Sequence, residues 1–207
     1  TYADFGITST GAVVVPIYPT NAPEECHWVI SDSGAVAIVC EDAEQDAKVT
    51  AVRDRLPDLQ HVIVMIPGGD TGDAITLDEL RERGRALDAS VVSERAATVT
   101  PEDPYTFIYT SGTTGNPKGC VLLHRNYHSV LDMVLRRGLF AGNGDDITYL
   151  YLPLAHAFAL IILLASTEAG PPLAHVGGDT QQIIAALNEV HPTYPPPVPP
   201  TFHKPHT

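Results

Sequence analysis

The segment Tyr109-Thr110-Ser111-Gly112-Thr113-Thr114-Gly115-Asn116-Pro117-Lys118-Gly119 indicates a chemistry more clearly than any other part of this 207-residue sequence. Its glycines let the backbone adopt positive φ and approach a ligand closely. Successive exposed N–H groups in such a turn form a concavity that binds anions. The hydroxyl groups add donors, and the lysine adds a mobile positive charge suited to phosphate. The segment therefore predicts a loop that holds a polyphosphate. The alternative is a plain Gly/Thr-rich surface turn.

Two common phosphate-binding patterns do not fit this segment. A Walker loop has the pattern Gly-x-x-x-x-Gly-Lys-[Ser/Thr]. Here Pro117 precedes the lysine and Gly119 follows it, so no hydroxyl stands where magnesium would be held. The dinucleotide-binding pattern Gly-x-Gly-x-x-Gly is also absent.

The composition excludes several classes of partner. The formal net charge is −13, from 12 basic and 25 acidic residues, which argues against nucleic-acid binding and against a polybasic membrane anchor. Acidic residues are absent from 105–127, so the local charge around Lys118 is positive. No signal peptide is evident at residues 1–11. The most apolar run, 155–165, is too short to span a bilayer and predicts a buried helix.

The three cysteines, Cys26, Cys40 and Cys120, have no zinc-site or disulfide spacing. We interpret them as reduced intracellular thiols packed in the core.

Outside the loop, strand and helix patterns alternate. The fold class predicted is α/β, with mostly parallel sheets covered by helices. We expect one portion at 1–100 and a loop-bearing portion at 101–207, separated by a polar connector at 86–103. A helix at 23–33 is predicted to place Trp28, Val29 and Ile30 in the core and to end at Gly34. Strands are predicted at 12–18 (an edge strand or one that exits the sheet early, because of Pro16), 35–40, 61–66, 105–109, 120–123, 147–152 and 173–176. Further helices are predicted at 43–56, 77–85, 125–137, 155–168 and 181–189.

The loop resembles the phosphate-binding signature of the AMP-forming adenylating enzymes, because Thr110 to Gly115 and Pro117-Lys118-Gly119 fill every fixed position. Other stretches resemble the family in the same order: Gly11-Ala12 with 15–19, His124-Arg125-Asn126, and 152–156 with Phe158. The closest resemblance is to bacterial long-chain fatty acyl-CoA synthetases, and it extends into the tail at Val198-Pro199, Phe202 and Lys204.

The resemblance implies part of the large N-terminal domain of the acyl-CoA synthetase fold and a two-step reaction. A fatty acid carboxylate attacks the α-phosphate of ATP, and coenzyme A then takes the acyl group. ATP, Mg²⁺ and coenzyme A are the implied cofactors and substrates. His156 and Phe158 are implied candidates for the acyl pocket or adenylate site, and no metal ligand is assigned. The implied phosphate-binding residues are Thr110, Ser111, Gly112, Thr113, Thr114, Gly115 and Lys118.

The resemblance also implies a cytoplasmic protein, or one peripheral to the membrane, with small-molecule partners, and it leaves a homo-oligomer open. The sequence departs from the family in two ways. Leu123 stands where the family usually has the helix-capping Thr, which costs about 1 kcal/mol unless His124 or Asn126 substitutes. The family's downstream ribose-binding and catalytic motifs and its C-terminal domain are not in the 207 residues. We therefore expect the chain to be inactive alone and no firm catalytic residue to lie within it.

Two other functional classes remain open. A variant phosphate-loop NTPase or phosphotransferase would need acidic magnesium ligands, for which Asp145 and Asp146 are candidates. A non-catalytic interaction module could use the proline-rich tail at 191–207 as a polyproline ligand. His124 and His128 are spaced as a metal pair, but no third ligand is evident. A satisfied core position is the alternative for His156.

Overall fold

The computed structural model of the chain describes residues 1–69, 71–110, 115–138, 146–175 and 183–194. Two compact units are present, Thr1–His124 and Arg125–Thr207. The helices are α1 (Tyr2–Thr8), α2 (Pro23–Ser33), α3 (Ala43–Thr50), α4 (Leu77–Arg85), α5 (Ser90–Ala96), α6 (His124–Arg136), α7 (Ala157–Ala169) and α8 (Ile183–Val190). The strands are β1 (Ala37–Asp42), β2 (His61–Ile66), β3 (Ile75–Thr76), β4 (Pro104–Thr110), β5 (Lys118–Leu123), β6 (Thr148–Leu150) and β7 (Leu173–His175).

The first unit contains a parallel three-stranded sheet in the order β1-β2-β3. Helices α2 and α3 pack against this sheet, because apolar side chains of the helices and strands are buried together away from water. The core cluster comprises Cys26, Ile30, Cys40, Val49, Val52, Leu56, Leu59 and Val64.

Helix α2 begins and ends where local chemistry dictates. Pro23 occupies the first turn, where its missing N–H has no partner to lose. The Glu25 carboxylate accepts a hydrogen bond from the Ala22 N–H at 2.8 Å. Gly34 ends the helix at φ 66°, a left-handed conformation that glycine adopts without a Cβ clash. The predicted bounds of this helix are confirmed.

Strands β4 and β5 form an antiparallel pair in the same unit. The predicted strand at 12–18 is wrong: within it the structure has one parallel bridge, between Val14 and Thr106. Pro16 lacks an N–H, so a ladder could not continue past it.

The second unit contains β6 and β7, which pair in parallel, with α7 packed against them. Leu160 and Leu163 of α7 are almost fully buried, as the apolar sequence predicts. Tyr149 of β6 is fully buried and donates its hydroxyl to the Ile183 carbonyl at the start of α8, at 3.0 Å.

The predicted α/β class with mostly parallel sheets is confirmed, and β4–β5 is the antiparallel exception. The predicted connector at 86–103 contains the unpredicted helix α5, and the predicted helix at 43–56 ends at Thr50 and continues as a 3-10 turn at Arg53–Arg55. Cys26 and Cys40 are buried as expected, but Cys120 is exposed on β5. Within the described residues, no helix combines the length and apolarity needed to cross a membrane.

Candidate functional site

The predicted phosphate loop is the connection of the β4–β5 hairpin. Thr110 is the last residue of β4 and Lys118 the first of β5, and they are directly opposite each other. Directly opposite residues of an antiparallel pair carry their side chains on the same face. The hairpin thus places the Thr110 hydroxyl and the Lys118 ammonium group together at the base of the loop.

Both of these side chains face solvent. Thr110 and Lys118 are exposed, and no salt bridge of Lys118 is found among the residues that the structure describes. Between these two residues, Gly115 has a φ of 90°, a conformation that favours glycine. An exposed lysine that pairs with no carboxylate of the described residues is available to an incoming anion. Ser111, Gly112, Thr113 and Thr114 lie outside the described residues.

The hairpin arms contact α2 at two points. The Trp28 indole Nε1 donates a hydrogen bond to the Pro117 carbonyl at 2.8 Å. The Tyr109 hydroxyl donates to the Asp32 carboxylate oxygen Oδ2 at 2.6 Å. Burial, and then the neighbouring Asp32 carboxylate, raise the pKa of Tyr109, so its phenol stays protonated and remains a donor.

The Tyr109 ring also covers its cross-strand partner, Gly119. A Cβ built on Gly119 would lie 3.0 Å from Tyr109 Cζ and 3.2 Å from its hydroxyl oxygen. A side chain at this position would require the ring to shift by a few tenths of an ångström. The third glycine of the motif therefore has a packing role within the hairpin.

The second group of candidates lies at the start of α7 in the other unit. His156 is the N-terminal cap of this helix, and its Nδ1 accepts a hydrogen bond from the Phe158 N–H at 3.3 Å. Both His156 and Phe158 are exposed. The core alternative for His156 is therefore wrong, because a cap lies at the open end of a helix.

The described residues offer no clear metal centre. They contain no group of three or more His, Cys, Asp or Glu side chains that could hold an ion. His124 packs edge-to-face on Tyr105, with ring centroids 5.1 Å apart. Asp146 has one buried carboxylate oxygen that finds no hydrogen-bond partner in the described part of the chain. Asp145, the other magnesium-ligand candidate of the alternative reading, lies outside the described residues.

Comparison with known proteins gives the family. Residues 1–204 match the protein family described as AMP-binding enzyme. The chain belongs to this family. The hairpin formed by β4 and β5 lies within the matched residues.

The chain resembles fatty-acid–CoA ligases of the same family in sequence. It is 34% identical to the long-chain-fatty-acid–CoA ligase FadD15 of Mycobacterium bovis, over 97% of this chain and 33% of that protein. It is 29% identical to the rat long-chain-fatty-acid–CoA ligase ACSBG1, over 93% of this chain and 28% of that protein. The chain therefore spans about a third of the length of these relatives.

The fold of the chain is similar to solved structures of CoA ligases. The inhibitor-bound N-terminal domain of FACL13 from Mycobacterium tuberculosis matches with a TM-score of 0.66 and 28% identity, over 91% of this chain and 44% of that one. The anthranilate CoA ligase AuaEII, in complex with anthranoyl-AMP, matches with a TM-score of 0.70 at 21% identity, over 92% of this chain and 36% of that one. The expectation of an N-terminal-domain fold of the acyl-CoA ligases is confirmed.

Sequence reasoning missed the residues that support the hairpin. Trp28 was predicted to be a core residue, but it is half-buried and donates to the loop arm. The spacing of Trp28 and Asp32, one helical turn, indicates a shared face of α2. Nothing in the sequence indicates that this face contacts the hairpin. Tyr109 lies 77 residues after its partner Asp32, and Pro117 lies 89 residues after Trp28.

Proposed function

We propose that this chain is the nucleotide-binding part of an ATP-dependent, AMP-forming long-chain fatty acid–CoA ligase. The main support for this proposal is the hairpin, which places exposed Lys118 opposite Thr110 at the base of the signature loop. The names of the relatives support a fatty acid as the carboxylate substrate. The proposal includes a cytoplasmic location or peripheral membrane association, and it leaves the oligomeric state open.

The loop's chemical task in this proposal is charge neutralisation. Carboxylate attack on the α-phosphate releases pyrophosphate, and such phosphoryl chemistry depends mainly on positioning and on stabilising negative charge. The Lys118 ammonium group would bind the β- and γ-phosphate oxygens, and the Thr110 hydroxyl would donate to them from the same face of the hairpin. The hydroxyls and N–H groups of 111–115 are proposed to complete this cradle.

The other site assignments are also proposals. Exposed His156 and Phe158 would contact the acyl chain or the adenylate from the start of α7. Magnesium would accompany ATP, but the described residues provide no ligand cluster for it. We therefore assign no step to the ion. The division into portions 1–100 and 101–207 stays a prediction.

The decisive experiment measures ATP–pyrophosphate exchange by the intact enzyme, with and without a long-chain fatty acid. Lys118→Ala should raise the KM for ATP at least tenfold while far-UV circular dichroism stays unchanged, because hydrogen bonds to charged groups contribute about 1.5–3 kcal/mol. Arg81→Ala is the matched control, since Arg81 is an exposed cation on α4 that pairs with Asp78 of the same helix. Unchanged ATP affinity in Lys118→Ala would count against the cradle.

The same assay separates the alternatives. A phosphate-loop NTPase would hydrolyse ATP without responding to fatty acid, whereas the ligase requires it for exchange. The interaction-module alternative depends on 195–200, which lie outside the described residues. Because the 207 residues cover about a third of the relatives' length, we expect the isolated chain to form no acyl-adenylate. Detection of acyl-adenylate with the purified chain would contradict this expectation.

A further inference from the structure

Helix α2 contacts both arms of the loop-bearing hairpin. Trp28 and Asp32 are four residues apart, so they lie on one face of the helix. Trp28 Nε1 donates to the carbonyl of Pro117, the residue immediately before Lys118. Asp32 accepts from the hydroxyl of Tyr109, the residue immediately before Thr110. The two contacts therefore hold the chain just where it enters the loop and just where it leaves.

The hairpin needs such support because its own ladder is small. Strands β4 and β5 form a two-stranded sheet, and an isolated two-stranded ribbon is marginally stable in water. A single parallel bridge, from Val14 to Thr106, adds to it near the middle of β4. At the loop end, α2 supplies one hydrogen bond to each arm.

The contact at Pro117 constrains the backbone that leads into Lys118. Proline has a fixed φ of about −65° and no N–H, so its carbonyl is its only backbone hydrogen-bonding group. Holding that carbonyl at 2.8 Å from Trp28 Nε1 fixes the peptide plane that leads into Lys118. The direction of the Lys118 Cα–Cβ bond is then constrained by the helix as well as by the ladder.

The contact at Tyr109 positions the other arm through packing. Its hydroxyl is held at 2.6 Å from Asp32 Oδ2, and its ring fills the space above Gly119. The ring thus joins β4 to β5 at the pair adjacent to Thr110 and Lys118. Loss of the Asp32 contact would free the ring that sets this spacing.

Helix α2 is itself held firmly. Its opposite side buries Cys26 and Ile30 in the core cluster of the first unit. Its first turn is tied to the 3-10 turn by an ion pair between Glu24 and Arg55. Side chains presented by a packed helix position a site more accurately than side chains on a loop.

We propose that Trp28 and Asp32 are positioning residues for the nucleotide phosphates, acting through Pro117 and Tyr109 rather than by touching substrate. This inference rests on the proposed function, because it assigns phosphate binding to the loop. Together the two side chains and their partners form a clamp, defined here as Trp28, Asp32, Tyr109 and Pro117. The clamp sets the geometry of Thr110 and Lys118 before the nucleotide arrives, which lowers the entropy lost on binding.

The test uses the intact enzyme with the variants Trp28→Phe, Asp32→Ala and Asp32→Asn. Trp28→Phe removes the indole donor but keeps an aromatic ring, and Asp32→Ala removes the acceptor. Each should raise the KM for ATP about fivefold, the equivalent of one hydrogen bond, with the KM for fatty acid unchanged. Asp32→Asn keeps an oxygen that accepts from Tyr109, so it should stay within about twofold of wild type. Ser31→Ala, at a neighbouring exposed position of α2, is the control and should behave as wild type.

A double-mutant cycle tests whether Asp32 acts through Tyr109. If it does, Tyr109→Phe and Asp32→Ala should each raise the KM for ATP, and the double variant should be no worse than the more impaired single variant. Additive effects would overturn the route through Tyr109. A merely structural role would lower the active fraction, and hence kcat, with both KM values unchanged, and that result would overturn the proposal.

Equilibrium binding of ATP keeps this inference separate from the proposed function. If the wild-type enzyme binds ATP but shows no exchange with fatty acid, the assigned substrate is wrong while the clamp is still measured by ATP affinity. In that case weaker ATP binding by Trp28→Phe and Asp32→Ala, with Asp32→Asn near wild type, supports the clamp. Equal ATP affinity in all variants overturns it, as does equal impairment of Asp32→Asn and Asp32→Ala.

Discussion

Replacing Gly119 by alanine tests the packing at the base of the loop. The new methyl carbon would lie 3.0 Å from Tyr109 Cζ, whereas carbon atoms in contact are about 3.5–4.0 Å apart. The ring must therefore move by a few tenths of an ångström. Because the Tyr109 hydroxyl is held 2.6 Å from Asp32, such a movement weakens this hydrogen bond. Gly119 is not among the positive-φ residues, so steric contact is the main cost.

The expected loss of stability follows from three contributions. Overpacking typically costs about 1–3 kcal/mol, and a weakened hydrogen bond costs about 1 kcal/mol more. The lower entropy of the unfolded chain after a Gly→Ala change offsets about 0.4–1 kcal/mol. We expect Gly119→Ala to lower the free energy of unfolding of the first unit by about 1–3 kcal/mol.

Urea unfolding followed by tryptophan fluorescence measures this loss. Trp28 is the only tryptophan in the sequence, and it contacts the hairpin directly, so its emission reports on this unit. Gly84→Ala is the matched control. Gly84 lies within α4 and has nothing within 4 Å of its built Cβ. That change should stabilise the unit by about 0.5–1 kcal/mol, as expected for alanine in a helix.

Making Gly119→Ala in a Tyr109→Leu variant tests whether the Tyr109 ring causes the loss of stability. In Tyr109→Leu the ring is gone, and adding Gly119→Ala should cost little. The coupling between the two changes should be about 1–2 kcal/mol. If Gly119→Ala is as stable as wild type, or equally damaging in both backgrounds, the ring does not determine the identity of this glycine.

Three further predictions concern other parts of the first unit. Thr76→Ala removes the hydroxyl that accepts from the Glu79 N–H at the start of α4 and should cost about 1 kcal/mol in urea unfolding; no loss would mean that water caps the helix equally well. Hydrogen bonds from the Thr76 N–H and hydroxyl lower the pKa of Glu79 from 4.5, so its stabilising effect is present above about pH 4.5 and is lost as the pH falls through the folded-state value. Glu79→Gln should flatten this part of the pH–stability profile, and an unchanged profile would refute the assignment. Burial raises the pKa of the Cys40 thiol to about 12, so an alkylating reagent at pH 8 should modify exposed Cys120 first and Cys40 only after unfolding. Equal labelling rates, followed by mass spectrometry, would contradict the burial of Cys40.

Local patterns in the sequence predict those elements whose signals are themselves local. Helix α2 is predicted residue for residue, because Pro23 at its start and Gly34 after its end act through their own backbone constraints. The predicted helix at 77–85 is confirmed as α4, where Thr76 and Glu79 form a capping box from groups three residues apart. The short helix α5 was missed, because a single polar turn within a connector carries no periodic apolar signal.

The signature loop gives the family and the general chemistry from residue types alone. Its glycines, hydroxyls and lysine are matched to phosphate whatever surrounds them, and family membership confirms the resemblance. The residues that carry the loop are also evident, because the apolar run before it predicts β4.

What holds the loop in place was decided by the tertiary structure. The antiparallel register that sets Thr110 opposite Lys118 depends on pairing across the loop. The contacts of Trp28 and Asp32 with the hairpin join residues far apart in the chain, so no local pattern encodes them. A sequence specifies which groups can bind phosphate, but only folding brings a helix from the first 33 residues against the arms that aim those groups.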